Sequence, residues 1–407
     1  MLRRSNASGL DRLMAGTRYV GCLENVVVPQ RDLVAAALDI ITRSGPHTRL
    51  GLTPDARAWR WSWAAESAPK IRELPIEVAD RGTTAVLEHI RNLAVPRGPV
   101  DVYLSDRHIA FDIDHGLGDA RLYVDCVTTL FELIRGAGSN WLRDRDTPIP
   151  VIQALAHTFA SPSRLRSAWT EARQRATPVR NRSAAGAPAA EPPSAAVQVI
   201  HIDAATEREV DDWRAADGAG VSRAVAWLVI VRTALAQAGL PLTDALRLVV
   251  DCRRYLRPHD RVNANFISGL SVRAGLDAPV GAIDAAVKAR LDAALPLLAL
   301  TSSAARNLAA PLSATRAQRA PADTPVELAY SDVGRLSPFE NLPWLPGRPR
   351  SINAALQPWA PADISVFSGT IGRERSITVS YHDDVHDRRL LQEAAEAIRT
   401  DPIRLLR

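Results

Sequence analysis

A glycine-punctuated histidine constrains this chain more than any other feature. In residues 100–136, VDVYLSDRHIAFDIDHGLGDARLYVDCVTTLFELIRG, two short alternating stretches at 100–104 and 108–113 flank a Ser-Asp-Arg turn and read as a hairpin. The second strand runs straight into His115, and Gly116, Leu117 and Gly118 follow, so the backbone can turn sharply there. Asp119 then opens a helix in which Leu122, Cys126, Leu130, Phe131 and Ile134 recur at helical spacing. An ionisable imidazole is thereby set at a strand end beside a relaxed loop, which is where an enzyme holds a general base. The same residues also suit a plain strand-to-helix junction, with Asp119 as N-cap and His115 as a structural side chain. Spacing alone leaves both readings open, and the order of motifs along the whole chain argues for the first.

The segment DHGLGDA, residues 114–120, resembles the HHxxxDG motif of the CoA-dependent acyltransferase superfamily, which holds chloramphenicol acetyltransferase, peptide-synthetase condensation domains and polyketide-associated acyltransferases. Further matches follow in family order: LVVDCRRYL at 248–256, NFISGL at 265–270, YSDVGRL at 330–336 and ITVSYHDDV at 377–385. Asp114 stands where the motif has its first histidine, and Ala120 where it has its last glycine. The second histidine, to which the family's chemistry is attributed, is His115.

The resemblance implies an α/β fold of α+β sandwich type: two chloramphenicol-acetyltransferase-like halves forming a V-shaped pseudo-dimer with a tunnel between them. Residues 1–160 would form the half carrying the His-x-x-x-Asp motif, 161–197 a crossover linker and 198–407 the second half. His115 would be the general base of an acyltransferase that moves an acyl group from a CoA or carrier-protein thioester to a hydroxyl or amine, in specialised-metabolite or lipid biosynthesis. Asp119 would hold the loop through an arginine, with Arg253 and Arg254 of VDCRRYL as the candidates. Read as a strand, that segment sends neighbouring side chains to opposite faces, so at most one arginine faces the site. Asp114, Gly118, Ser331, Asp332 and Gly334 are candidates for the tunnel and the interface. No cofactor is expected beyond acyl-CoA or a phosphopantetheine thioester as substrate. The expected partners are acyl-CoA or an acyl or peptidyl carrier protein, with a small-molecule hydroxyl or amine as acceptor. The changes at Asp114 and Ala120 allow an alternative: a degenerate condensation-like module that binds a carrier protein or tailoring enzyme without catalysis.

Composition narrows the class. With 407 residues, 46% hydrophobic and 23% charged, the chain has room for two ordinary soluble domains. Its net charge of +5 rests almost wholly on arginine, lysine occurring only at Lys70 and Lys288, and no basic run is interleaved with aromatics. Nucleic acid is therefore not an expected partner. Cys22, Cys126 and Cys252 are odd in number and far apart, a reduced, cytoplasmic pattern without a metal site. No stretch has the apolar length of a signal peptide core or a membrane span.

The rest of the chain reads as alternating helices and strands. In the first half, 19–28 is a strand, 30–44 and 83–93 are helices, and Trp59, Trp61 and Trp63 alternate along a further strand as core residues. Residues 149–160 suit a helix, whereas 161–197, rich in Ala, Pro, Ser and Arg, read as a mobile crossover. The second half reads as strands at 197–202, 246–252, 326–330, 364–368 and 376–381, with helices at 206–216, 222–238, 280–298, 302–308 and 390–399. Asn263 and Asn265 read as turn residues at a strand entry. His382 and His386 lie at i and i+4 beside Asp383 and Asp384, but with no third ligand in view no metal is expected there.

Overall fold

A computed structural model describes residues 3–174, 195–218, 220–309 and 325–407. In chain order the first part holds β1 (Arg3–Asn6), α1 (Gly9–Met14), β2 (Arg18–Glu24), α2 (Arg31–Arg43), β3 (Arg60–Trp63), β4 (Lys70–Glu73), α3 (Ile76–Ala79), α4 (Thr83–Arg91), β5 (Val100–Leu104), β6 (His108–Asp114) and α5 (Ala120–Ile134). Two helices, α6 (Pro150–Phe159) and α7 (Pro162–Gln174), lead away from it. The second part runs β7 (Ala195–Ile202), α8 (Ala204–Ala216), α9 (Arg223–Gln237), β8 (Leu242–Asp251), β9 (Ile267–Arg273), α10 (Val280–Asp292), α11 (Leu295–Ala309), β10 (Val326–Arg335), β11 (Ser351–Ala355), β12 (Ile364–Ile371), β13 (Glu374–His382) and α12 (Arg388–Thr400).

Two mixed sheets organise these elements, one of five strands in the order β11-β2-β6-β5-β4 and one of six in the order β7-β13-β12-β10-β8-β9. Strands β2, β5, β6 and β11 of the first sheet are buried on both faces, whereas β4 at its edge is charged and partly exposed. Leu23, Ile109 and Phe111 share a core with Leu38 and Ile41 of α2 and Leu122, Val127 and Leu130 of α5. Val20, Cys22 and Ala110 pack against Val86, Leu87 and Ile90 of α4 on the other side. Each fully buried Leu or Ile stabilises this arrangement by roughly 1.5–3 kcal/mol. The six-stranded sheet packs its inner face on α9, α10 and α12. A further core joins the parts, with Leu10 and Met14 of α1 and Ala154 of α6 against Cys252, Tyr255, Phe266 and Leu297. Among the described residues no helix is long and apolar enough to cross a membrane.

The structure departs from the sequence reading at several places. Residues 162–174, expected as part of a mobile crossover, form α7, because Pro162 has its fixed φ at the first helical position and Leu, Ala and Arg favour the helix after it. Of the remaining crossover residues, 195–197 open β7, and 175–194 lie outside the described residues. The single helix expected at 280–298 breaks at Ala293 and Ala294: Ala294 is left-handed at φ 53°, and Pro296 cannot donate to the preceding turn. Trp59 is not core but lies under the Arg12 guanidinium, 3.7 Å from its ring centre, whereas Trp61 and Trp63 are buried.

One strand crosses the division expected at residues 160 and 198. β11 leaves the second part and pairs antiparallel with β2, Ser351 opposite Glu24 and Ala355 opposite Val20. Leu336, Phe339 and Phe367 follow it into the first core, where the Phe339 ring meets that of Tyr123 edge-on at 6.0 Å. The two halves therefore share a strand and are not separable by one cut in the sequence.

Candidate active site

β6 ends at Asp114, opposite Arg18 of β2, and its last residue controls the turn that follows. The Asp114 carboxylate accepts Gly116 N at 2.8 Å and Gly16 N at 3.1 Å, which coils residues 115–117 into one 3₁₀ turn and presents the His115 ring half-buried beside Tyr19. The two rings meet edge-on with centroids 5.0 Å apart. His115 N donates to Thr17 O at 2.8 Å.

The carbonyls of this loop are held from several directions. His115 O accepts Asn265 Nδ2 at 2.7 Å, Gly116 O accepts Arg49 Nη2 at 3.1 Å, and Leu117 O accepts Arg49 Nε at 2.7 Å. Arg49 is itself paired with Asp11 at 3.2 Å, the two side chains being only 3% and 1% exposed. Asp11 also accepts Asn265 N and Nδ2, each at 3.0 Å. A buried charge this well bonded rigidifies its surroundings, and here it fixes the backbone under the histidine.

Asp119 joins this loop to the second half. Its Oδ1 caps α5 by accepting Arg121 N at 3.1 Å, and its Oδ2 accepts Arg253 Nη1 at 3.0 Å and Phe266 N at 2.9 Å. Arg253 spends its remaining donors on Asp251 Oδ1, Val262 O and Ala264 O at 2.7–3.0 Å. The segment carrying it is not a strand as expected. β8 stops at Asp251, whose carboxylate accepts Arg253 N at 2.9 Å and so starts a 3₁₀ turn at Cys252–Tyr255. Arg254 is consequently exposed, its guanidinium 5.9 Å from the centre of the Tyr255 ring, and it does not reach the site.

Burial lowers the His115 pKa below its ordinary value, against its own backbone and that of Gly118, the Asp119 charge and Asn265, which favour the charged form. The ring is thus neutral at pH 7. Burial pushes Asp114 the other way, up to about 6, even with the Gly116 and Gly16 amides and Arg18 holding it down. The three thiols are buried and unpaired, and burial raises all of them, Cys126 to about 12. None is a nucleophile at neutral pH.

No family model matches the chain, and no curated protein matches it in sequence. Solved structures do. The trichothecene 15-O-acetyltransferase of Fusarium sporotrichioides, 12% identical, aligns with a TM-score of 0.62 over all of this chain and 95% of its own. The condensation domain of the monacolin K polyketide synthase, 12% identical, aligns at 0.61 over 99% of this chain and 98% of its own. TRI101 of the same Fusarium species, solved with coenzyme A and T-2, is 11% identical and aligns at 0.59 over 96% and 97%. The chain has the fold of these acetyltransferases and this condensation domain.

Within this acyltransferase fold the other expected residues divide. Gly118 sits where the halves touch: a Cβ there would stand 2.8 Å from Asn263 O and 2.9 Å from Leu122. Ser331 is half-buried in β10, paired with Phe367 of β12. Asp332 belongs to a buried network of the second half. It accepts the fully buried Arg375 at 3.1 Å, while Arg375 also binds both Glu207 oxygens at 3.0 and 3.1 Å and Ser368 at 2.6 Å. Gly334, at φ 66°, makes the irregularity in β10 between Asp332 and Arg335, beyond which the chain enters the first core. His386 commits Nε2 to Ala362 O at 2.9 Å, and burial lowers both His382 and His386.

Asn263 and Asn265, expected to be turn residues, are buried fasteners between the halves. Asn263 donates to His47 O and accepts Trp141 Nε1, each at 3.0 Å. Sequence reasoning also missed Asp11 and Arg49. The Ser8-x-x-Asp11 spacing is a readable capping box, and it forms, but nothing in it foretells the pairing with Arg49.

Proposed function

We propose that this chain is an acyltransferase which moves an acyl group from a thioester to a hydroxyl or amine, with His115 as general base. The observation that carries the reading is the His115 imidazole: half-buried, kept neutral by burial, on a loop braced by Asp11, Arg49 and Asn265 and tied through Asp119 to Arg253. A base needs its lone pair free at working pH and a fixed position, and both conditions are met here.

In the proposed reaction the imidazole takes the proton of the acceptor O–H or N–H as that atom attacks the thioester carbonyl. The tetrahedral oxyanion collapses, the C–S bond breaks, and the departing thiolate recovers the proton from the imidazolium. No acyl-enzyme is required, consistent with three buried, protonated thiols. The similar structures include one solved with coenzyme A and a condensation domain of a polyketide synthase, so acyl-CoA and a carrier-protein thioester both belong to the proposed donor class. Asp119 and Arg253 have a structural role in this reading.

The test is thiol release from a panel of acyl-CoA and acyl-carrier thioesters with hydroxyl and amine acceptors, paired with mass detection of the acylated product. Turnover that disappears in His115→Ala supports the proposal. A chain that binds a carrier protein yet releases no thiol from any thioester is instead the non-catalytic module.

A further inference from the structure

Two buried polar atoms beside the loop lack hydrogen-bond partners: His115 Nδ1 and Asn265 Oδ1. They belong to residues already in contact, since Asn265 Nδ2 donates to His115 O at 2.7 Å. The orientation of the Asn265 amide follows from its surroundings. Its NH₂ faces three acceptors, Asp11 Oδ1 at 3.0 Å, His115 O at 2.7 Å and Gly116 O at 3.4 Å. Turning the amide over would set its carbonyl oxygen against those three oxygens, so Oδ1 is on the other side.

Leaving a buried donor or acceptor unmet is unfavourable. Asn265 Oδ1 can only accept, and Asn265 is 3% exposed, so water does not satisfy it readily. A neutral imidazole carries one proton. If that proton is on Nδ1, a hydrogen bond to Asn265 Oδ1 would satisfy both orphaned atoms together. If it is on Nε2, Nδ1 and Oδ1 are both acceptors and neither can satisfy the other.

Resting on the reading of His115 as general base, we propose that Asn265 is a positioning residue: its Oδ1 accepts the Nδ1–H of His115 and so selects the tautomer whose Nε2 lone pair is free for the acceptor proton. The Asn265 side chain is also among the groups that favour the charged imidazole, after the residue's own backbone and the Asp119 charge. One amide thus has two uses. Its NH₂ holds the His115 backbone, and its oxygen sets which ring nitrogen is the base.

The experiment is long-range ¹H–¹⁵N correlation on protein labelled with ring-¹⁵N histidine, with His115 identified as the signal lost in His115→Ala. At a pH where the ring is neutral, the parent is expected to show the Nδ1–H tautomer, and Asn265→Ala, checked for its fold by circular dichroism, to lose that bias toward Nε2–H. An Nε2–H tautomer in the parent overturns the assignment, even if the alanine variant does not fold. A folded Asn265→Ala that keeps the Nδ1–H tautomer also overturns it, because the His115 carbonyl would then suffice as partner. The two readings fail separately. An active parent in the Nε2–H form refutes the role of Asn265 alone, while an inactive parent in the Nδ1–H form, shifted by Asn265→Ala, refutes the acyltransferase alone.

Discussion

Asp119 and Arg253 meet at 3.0 Å across 134 residues of chain, one at the start of α5 and the other on the turn after β8. The carboxylate closes the helix and the guanidinium closes the loop 262–264, so one pair sets both the histidine turn and the second half against it. Asp119→Asn keeps a side chain that caps helices well, but it removes the charge and leaves one acceptor oxygen where the carboxylate has two. Arg253 retains Asp251 and two carbonyls, so the loss is expected at the lower end for a broken buried pair, about 3 kcal/mol. Denaturant unfolding measures it. The pH at which turnover titrates should stay where it is in the parent, and a stable variant with a displaced profile would assign Asp119 a relay role.

Asp114 makes a prediction of opposite sign. Its carboxyl titrates at about 6 in the fold against an ordinary 3.8, so between those values the native state holds a proton that the unfolded chain has lost. Stability from this group is therefore full below about 3.8 and declines as pH rises through about 6. Asp114→Asn keeps an acceptor for Gly116 N and has no such penalty. Relative to the parent it should gain about 1 kcal/mol above that window, a figure reduced for partial exposure, and nothing below it. Thermal unfolding of both proteins across the pH range decides this. Parallel curves would mean that the charge is solvated.

The parts of this site that lie close in sequence were legible, and those that meet through folding were not. The hairpin at 100–113, the histidine at its end and the Asp119 cap follow from alternation, glycine and helical spacing within twenty residues of one another. Order along the chain then pointed to Arg253 or Arg254. By contrast β11 is five residues, all buried, with no alternation to mark a strand, and its partner β2 lies over three hundred residues earlier. Asn265 looked like a turn residue because its amide bonds reach Asp11 and His115, both in the other half. The choice between Arg253 and Arg254, and the surroundings of Asp332, were hidden for a related reason: side-chain direction depends on local backbone and packing, here a 3₁₀ turn and a buried arginine.

Gly118 tests how closely the halves must approach. An added methyl would stand 2.8 Å from Asn263 O and 2.9 Å from Leu122, and the contact with Asn263 is to backbone that cannot rotate away. Gly118→Ala should cost roughly 1–3 kcal/mol, as overpacking does. Because the shift falls between His115 and the second half, turnover should drop further than stability explains. Kinetics at a temperature where the variant is fully folded separate the two effects. Parent-like turnover there would show that the junction tolerates the displacement.

His115 decides the function. His115→Ala leaves the backbone bonds to Thr17 O and from Asn265 Nδ2 in place, so the loop should keep its form. Turnover should nonetheless fall by roughly 10² to 10⁴, the usual contribution of a positioned base. In the parent, only the neutral ring accepts a proton, so kcat/KM should rise with pH and level off. Since burial lowers the His115 pKa from 6.5, the rise should lie at lower pH than an unburied imidazole would give. Asp114 titrates in the same region, at about 6, and could imitate that rise. The control is the profile of Asp114→Asn: it should keep the rise if the imidazole causes it, while His115→Ala should lose it. A rise that survives in His115→Ala and disappears in Asp114→Asn would transfer the titration to the carboxyl and remove the base from the proposed mechanism.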